Sequence, residues 1–188
     1  MTDAIDPVTA LERSYDELAK VVANLRPDQL ALPTTCPDWD VRGVLNHILG
    51  GALMYIAAND GRLVAEDGGD VVGADPGLAT SEMAAANLES WRRPGALEGE
   101  RTYPFGTFPA VAGLVINVGE VALHAWDIAK ATGQEARLDE GVAAVVLGLY
   151  RQVPMDDMRA HGVYGPEIPV PESASVQEQL LGFLSREA

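Results

Sequence analysis

Residues 110–133, AVAGLVINVGEVALHAWDIAKATG, constrain the fold more than any other stretch. From 110 to 129 every position is apolar or glycine except Asn117, Glu120, His124 and Asp127. A helix this apolar must be buried on nearly all sides. A buried carboxylate or imidazole without partners costs several kcal/mol. Each helical residue advances by about 100°, so the four polar side chains fall within an arc of about 80°. They form one polar seam along an apolar helix that Gly133 is expected to end.

Other segments carry the periodicity of helices that could surround it. Asp6-Pro7 is a helix start, with an acceptor at the N-cap and proline at the first position. Val8, Leu11, Tyr15, Leu18, Val22 and Leu25 then make one stripe. A second helix is expected from Asp40, another N-cap, with an apolar face running from Val41 to Ile56 and ending at Asn59-Asp60-Gly61. The stretch 61–79 is rich in glycine and aspartate and reads as a loop. A short helix is expected over 80–93, and an ordered loop or small hairpin over 101–109. A fourth long helix is expected over 139–153, an extended proline-punctuated segment follows, and a last short helix covers 175–187. Trp39, Trp91 and Trp126 are expected to be core anchors. Four apolar-faced helices with little strand pattern imply an all-α fold, a four-helix bundle with long loops and a short C-terminal helix. The domain reading is one unit over 1–188, with the bundle at about 6–153 and an extension at about 154–188.

Charge and composition exclude several functions. With 13 basic against 28 acidic residues the net charge is −15, which repels phosphate backbones and anionic membranes. Neither nucleic acid nor membrane is expected as a partner. One cysteine, Cys36, allows no internal disulfide and no cysteine zinc cluster. It reads as a small buried residue, since nothing nearby in the sequence marks an activating base. The N-terminal stretch has neither the basic start nor the apolar run of a signal peptide, so a cytoplasmic monomer or homodimer is expected.

Glu120 and His124 stand at i and i+4, so their side chains can converge on one point, and an imidazole with a carboxylate suits a divalent metal such as zinc. Asp127 or Asn117 would then orient a ligand, for instance by accepting the free imidazole N–H. The same residues also suit a hydrogen-bonded Glu–His pair that holds no ion. Of three histidines in the chain, His47 lies in the second helix, off the centre of its apolar stripe. Gly43 and Gly51 flank it, giving room for another helix to approach. His161, in RAHGVYGP, is a weaker fourth candidate. Two histidines and one carboxylate leave coordination positions open, the pattern of a catalytic zinc site.

The blocks PTTCPDWDVRGVLNHILGG, GEVALHAWDIAKATGQ and MRAHGVYGPEIPVP resemble the DinB-like metalloprotein superfamily. The branch they resemble contains mycothiol-dependent maleylpyruvate isomerase and related metal-binding proteins. The resemblance implies a four-helix bundle holding a divalent metal, zinc or nickel, through His47, Glu120 and His124. It also implies mycothiol as thiol cosubstrate. The isomerases carry a further C-terminal lipid-carrier-like domain that these 188 residues are not expected to include, and SREA departs from the ending common among relatives. Isomerisation of maleylpyruvate is therefore not carried over.

The function expected is a metal-dependent, thiol-using transferase or isomerase, the metal favouring the thiolate for attack on an electrophilic carbon. Loops 61–79 and 101–109 are expected at the mouth. Arg42, Arg101 or Arg159 would serve an anionic substrate. The alternatives are a metal-binding bundle without catalysis, with a ligand-binding or stress-related role, and a bundle whose seam is a hydrogen-bond network alone.

Overall fold

The computed structural model describes residues 5–65 and 69–187. Part of the 61–79 loop, 66–68, therefore lies outside the described residues, as do 1–4 and 188. Helix α1 spans Pro7–Ala23, and the Asp6 carboxylate accepts from the amides of Val8 and Thr9 at 3.0 and 3.1 Å. Helix α2 spans Val41–Asn59, capped by Asp40, which accepts from the Gly43 amide at 2.7 Å. Helix α3 spans Pro76–Arg92. Strands β1 (Glu100–Tyr103) and β2 (Gly106–Pro109) form an antiparallel hairpin that leads directly into α4, Ala110–Ala131. Helices α5 (Glu140–Tyr150), α6 (Met155–Ala160) and α7 (Val176–Phe183) complete the described chain.

The fold is all-α apart from that hairpin, and its bundle is a ring: α1 packs on α3 and α4, and α2 packs on the same two helices. The fourth member is therefore α3, while the apolar helix expected over 139–153 lies outside the ring as α5, against α4, α1 and α7. The reason lies in what α3 buries: Thr80, Asn87, Ser90 and Trp91. Apolar Ala79, Met83, Ala84 and Leu88 are only partly buried beside these, so polar positions interrupt the stripe. α6 also interrupts the segment expected to be extended, and α7 is shorter than the 175–187 helix expected.

α4 is the buried centre, with Leu114, Val118, Val121 and Ile128 fully enclosed. Its glycines admit neighbours. A Cβ at Gly113 would lie 2.2 Å from the Tyr103 hydroxyl, and one at Gly119 would lie 3.3 Å from Val146. By length and composition α2 and α4 could each cross a membrane, but their most apolar windows are 61% and 78% buried inside this bundle.

Candidate metal centre

The site forms where the first turns of α2 face the second half of α4. Trp39 immediately precedes the N-cap of α2, and its chain folds back across the helix start. A Cβ at Gly43 would lie 3.0 Å from Trp39 Cβ, so that glycine accommodates its own chain, where the approach of another helix was expected. Gly51 has no heavy atom within 4 Å of such a Cβ, so no close helix approach uses it. Trp39 is not a core anchor: it is 38% exposed and stacks on the His47 ring, centroids 4.4 Å apart and planes at 27°. Trp91 and Trp126 are buried.

His47 Nε2 lies 3.0 Å from Glu120 Oε2, and His124 Nε2 lies 3.5 Å from the same oxygen. The two imidazoles meet edge to face at 5.0 Å. One atom from each residue can thus face a common point, all within 4.8 Å of one another. Tetrahedral zinc with bonds of about 2.0–2.1 Å separates its ligand atoms by about 3.3 Å, and the two observed spacings straddle that value. The donor set and its spacing fit a divalent cation.

The other nitrogen of His124 is committed. Nδ1 lies 2.9 Å from Asp127 Oδ2, and an ionised carboxylate only accepts, so Nδ1 carries a hydrogen. Asp127 is fully buried and heavily bonded. Thr35 Oγ1 donates to Oδ1 at 2.6 Å, Arg186 Nε to Oδ1 at 3.0 Å, and Arg186 Nη2 to Oδ2 at 2.8 Å. Cys36 Sγ lies 3.6 Å from Oδ2 and 3.8 Å from His124 Nδ1.

These contacts set the charges. Burial opposes ionisation of Glu120, but hydrogen bonds from His124 and His47 outweigh it and hold the carboxyl well below its usual range. Burial likewise opposes the Asp127 carboxylate, and His124 and Arg186 more than compensate. His124 is pushed well above the ordinary imidazole value: burial works against its charge, while Asp127, Cys36 and Glu120 favour it more strongly.

Cys36, His124 and Asp127 also bring donor atoms together. A cation there would face the Arg186 guanidinium across the Asp127 carboxylate, whose oxygens already accept four hydrogen bonds. Electrostatics favours the Nε2 side of His124.

Residues 11–129 match the family described as mycothiol maleylpyruvate isomerase N-terminal domain. The chain belongs to that family. This is the branch that the CPDW and HAWD blocks resemble. An uncharacterised protein of Mycobacterium tuberculosis, present in two strains, is 32% identical over 185 residues, covering 97% of this chain and 98% of its own length. The solved mycothiol-dependent maleylpyruvate isomerase superposes with a TM-score of 0.61 at 17% identity, over 74% of this chain and 65% of that enzyme. A histidine-to-alanine variant of it gives 0.61 at 16% identity, over 76% and 65%. At these identities the likeness is one of fold, and this member of the mycothiol maleylpyruvate isomerase N-terminal domain family spans just under two thirds of the solved enzyme.

Several expected roles fall elsewhere in this family member. Asn117 does not reach the cluster: its Oδ1 accepts from Trp91 Nε1 at 3.1 Å, tying α3 to α4. It lies a turn before Glu120, where α3 is the neighbour. His161 is exposed at the end of α6, its Nδ1 2.7 Å from the Asp157 carbonyl. The three arginines considered for an anionic substrate are engaged in the fold. Arg42 donates to Asp70 and the Gly73 carbonyl, Arg101 to Asn59 and four carbonyls, and Arg159 to the Gly165 and Phe183 carbonyls. The hairpin bonds to Asn59 through Arg101, about 18 Å along α2 from His47. It therefore packs at the far end of that helix and not at the mouth. Val71 and Val72, from the 61–79 loop, donate to Asn46 beside His47.

Sequence reasoning missed Thr35 and Arg186, and it read Cys36 only as a small buried residue. The one available signal was the demand of Asp127 itself: a carboxylate amid apolar residues requires a cation.

Proposed function

We propose that this chain is a divalent-metal-dependent enzyme that uses a low-molecular-weight thiol, mycothiol, to transfer or isomerise a group on an electrophilic substrate. The observation that carries it is the meeting of His47 Nε2, Glu120 Oε2 and His124 Nε2 at spacings suited to one cation. Membership of the mycothiol maleylpyruvate isomerase N-terminal domain family supports the thiol.

A zinc or nickel ion bound there would favour the thiolate of a coordinated thiol at neutral pH. The protein's own residues do the rest. His47, Glu120 and His124 hold the ion and, numbering only three, leave room for the thiol sulfur. Asp127 accepts from His124 Nδ1 and so reserves Nε2 for coordination. Trp39 stacks on His47, fixes its ring plane and presents an exposed apolar edge beside the opening. His47 and Glu120 remain partly exposed, at 23% and 30% of their side chains, so a small thiol can reach them.

Two measurements test this reading. Protein purified without chelator is expected to carry close to one zinc or nickel per chain, and H47A and H124A to lose it. Metal-loaded protein mixed with mycothiol and a panel of electrophiles is then expected to form adducts faster than the mixture without protein. Bound metal without acceleration would leave a metal-binding bundle with no catalysis. No bound metal would leave only a hydrogen-bond network.

A further inference from the structure

The ending of α7 delivers one side chain into the α4 seam. The Ser185 amide donates to the Gly182 carbonyl at 3.1 Å and the Arg186 amide to the Leu181 carbonyl at 2.8 Å. This paired closure reverses the chain after a helix and needs a left-handed residue at its turn. Ser185 occupies that conformation at φ 66°. Arg159 clasps the same turn through the Phe183 carbonyl at 2.9 Å. The reversed chain directs Arg186 inward, where its side chain is 13% exposed and grips both oxygens of Asp127 side-on.

We propose that Arg186 is a positioning residue for the metal centre, acting through Asp127 on His124. This rests on the metal reading above. The carboxylate that orients His124 is itself held in place by its other donors. Thr35 and Cys36 each reach one oxygen, the thiol at 3.6 Å, whereas the Nε and Nη2 donors of Arg186 engage both oxygens from one rigid plane. The Oδ2 that accepts from His124 Nδ1 is the one held by Nη2. Arg186 thereby sets the direction of the imidazole and the aim of Nε2 toward Glu120. It lies beyond the 11–129 region that matches the family, so the C-terminal segment completes a centre whose ligands are all on the bundle.

The test is zinc affinity, measured by competition with a chromophoric chelator on full-length protein, with the melting temperature of each variant recorded beside it. Losing such an outer partner costs about 10–100-fold in metal affinity. Arg186 acts one hydrogen bond further out, so R186Q is expected to weaken zinc binding by about threefold to tenfold, less than D127N, and R186K, which keeps the charge but loses the planar fork, to fall between R186Q and the parent chain. Because Arg186 acts through one carboxylate, D127N/R186Q should bind zinc no more weakly than D127N alone. A merely structural arginine would lower the melting temperature and leave zinc affinity within twofold, which would overturn the proposal. Additive losses in the double variant would overturn it as well. Should R186Q not fold, R186K and its pairing with D127N carry the same comparison. A parent chain that binds neither zinc nor nickel defeats the metal reading and this inference together. A parent that binds zinc while R186Q matches it defeats this inference alone.

Discussion

His124 Nδ1 faces Asp127 and His124 Nε2 faces Glu120, both carboxylates held ionised, so in protein stripped of metal both ring nitrogens retain protons at neutral pH. Loading the centre must expel the proton on Nε2. Zinc affinity is therefore expected to rise by about tenfold per pH unit through neutral pH, while that proton competes. Titrations in buffers of different ionisation enthalpy would count the proton released, and a flat profile would contradict the assignment. Asp127 predicts a dependence of the same sign for stability, in a more acidic range. Its folded pKa lies below the unfolded value of 3.8, so its contribution is complete above that value and disappears as the pH falls through the folded one. The acid limb of the melting profile of chelated protein should accordingly be shallower in D127N.

Two helix ends offer a comparison at the scale of the element. α4 closes through Gly133, with the Gln134 amide donating to the Ala129 carbonyl at 2.9 Å, and α7 closes in the same way through Ser185. Gly133 takes φ 69° and Ser185 φ 66°. A left-handed conformation costs a non-glycine residue about 1–2 kcal/mol, offset in part by the greater unfolded freedom of glycine. S185G should thus raise the melting temperature by a few degrees without weakening zinc binding, and a decrease would show that the serine side chain contributes more than the strain. At the opposite end of the bundle the hairpin seats Tyr103 on Gly113, and an added Cβ would meet its hydroxyl at 2.2 Å. G113A must displace the hairpin, at about 1–3 kcal/mol by overpacking. Chemical denaturation measures that loss, while zinc affinity, set two turns further along α4, should stay unchanged.

For the whole molecule, the proposed ion would join α2 to α4, two members of the ring that otherwise meet through packing and the His47–Glu120 contact. A ligand that binds only the folded state stabilises it by about 2.7 kcal/mol at a free concentration one hundred times its Kd. Zinc is therefore expected to raise the melting temperature in a concentration-dependent way, reversed by chelation and absent in H47A. An equal shift in H47A would place the ion elsewhere.

Much of this architecture could be read locally. The Asp6 and Asp40 caps and the period of α1 and α2 mark their starts and buried faces, because both signals lie within a few residues of one another. The seam of α4 selected Glu120 and His124 by helical spacing, and His47 followed from the scarcity of histidines. The place of α3 in the ring was not legible, since polar Thr80, Asn87 and Ser90 are buried with Trp91 while Ala79, Met83, Ala84 and Leu88 are only partly covered, which blurs its hydrophobic period. Asn117 was assigned to the cluster because angle around a helix does not report which neighbour stands opposite each turn; Trp91 does so here. Arg186 was invisible for the same reason, as its partner lies on another helix. The sequence by itself determined the long helices, the caps of α1 and α2 and the choice of His47, Glu120 and His124 as candidate cation ligands, because those depend on residue types and on neighbours along the chain. Only the tertiary structure decided which helices form the ring, which way each nitrogen of His124 faces and what neutralises Asp127, because those depend on contacts between segments far apart in the chain.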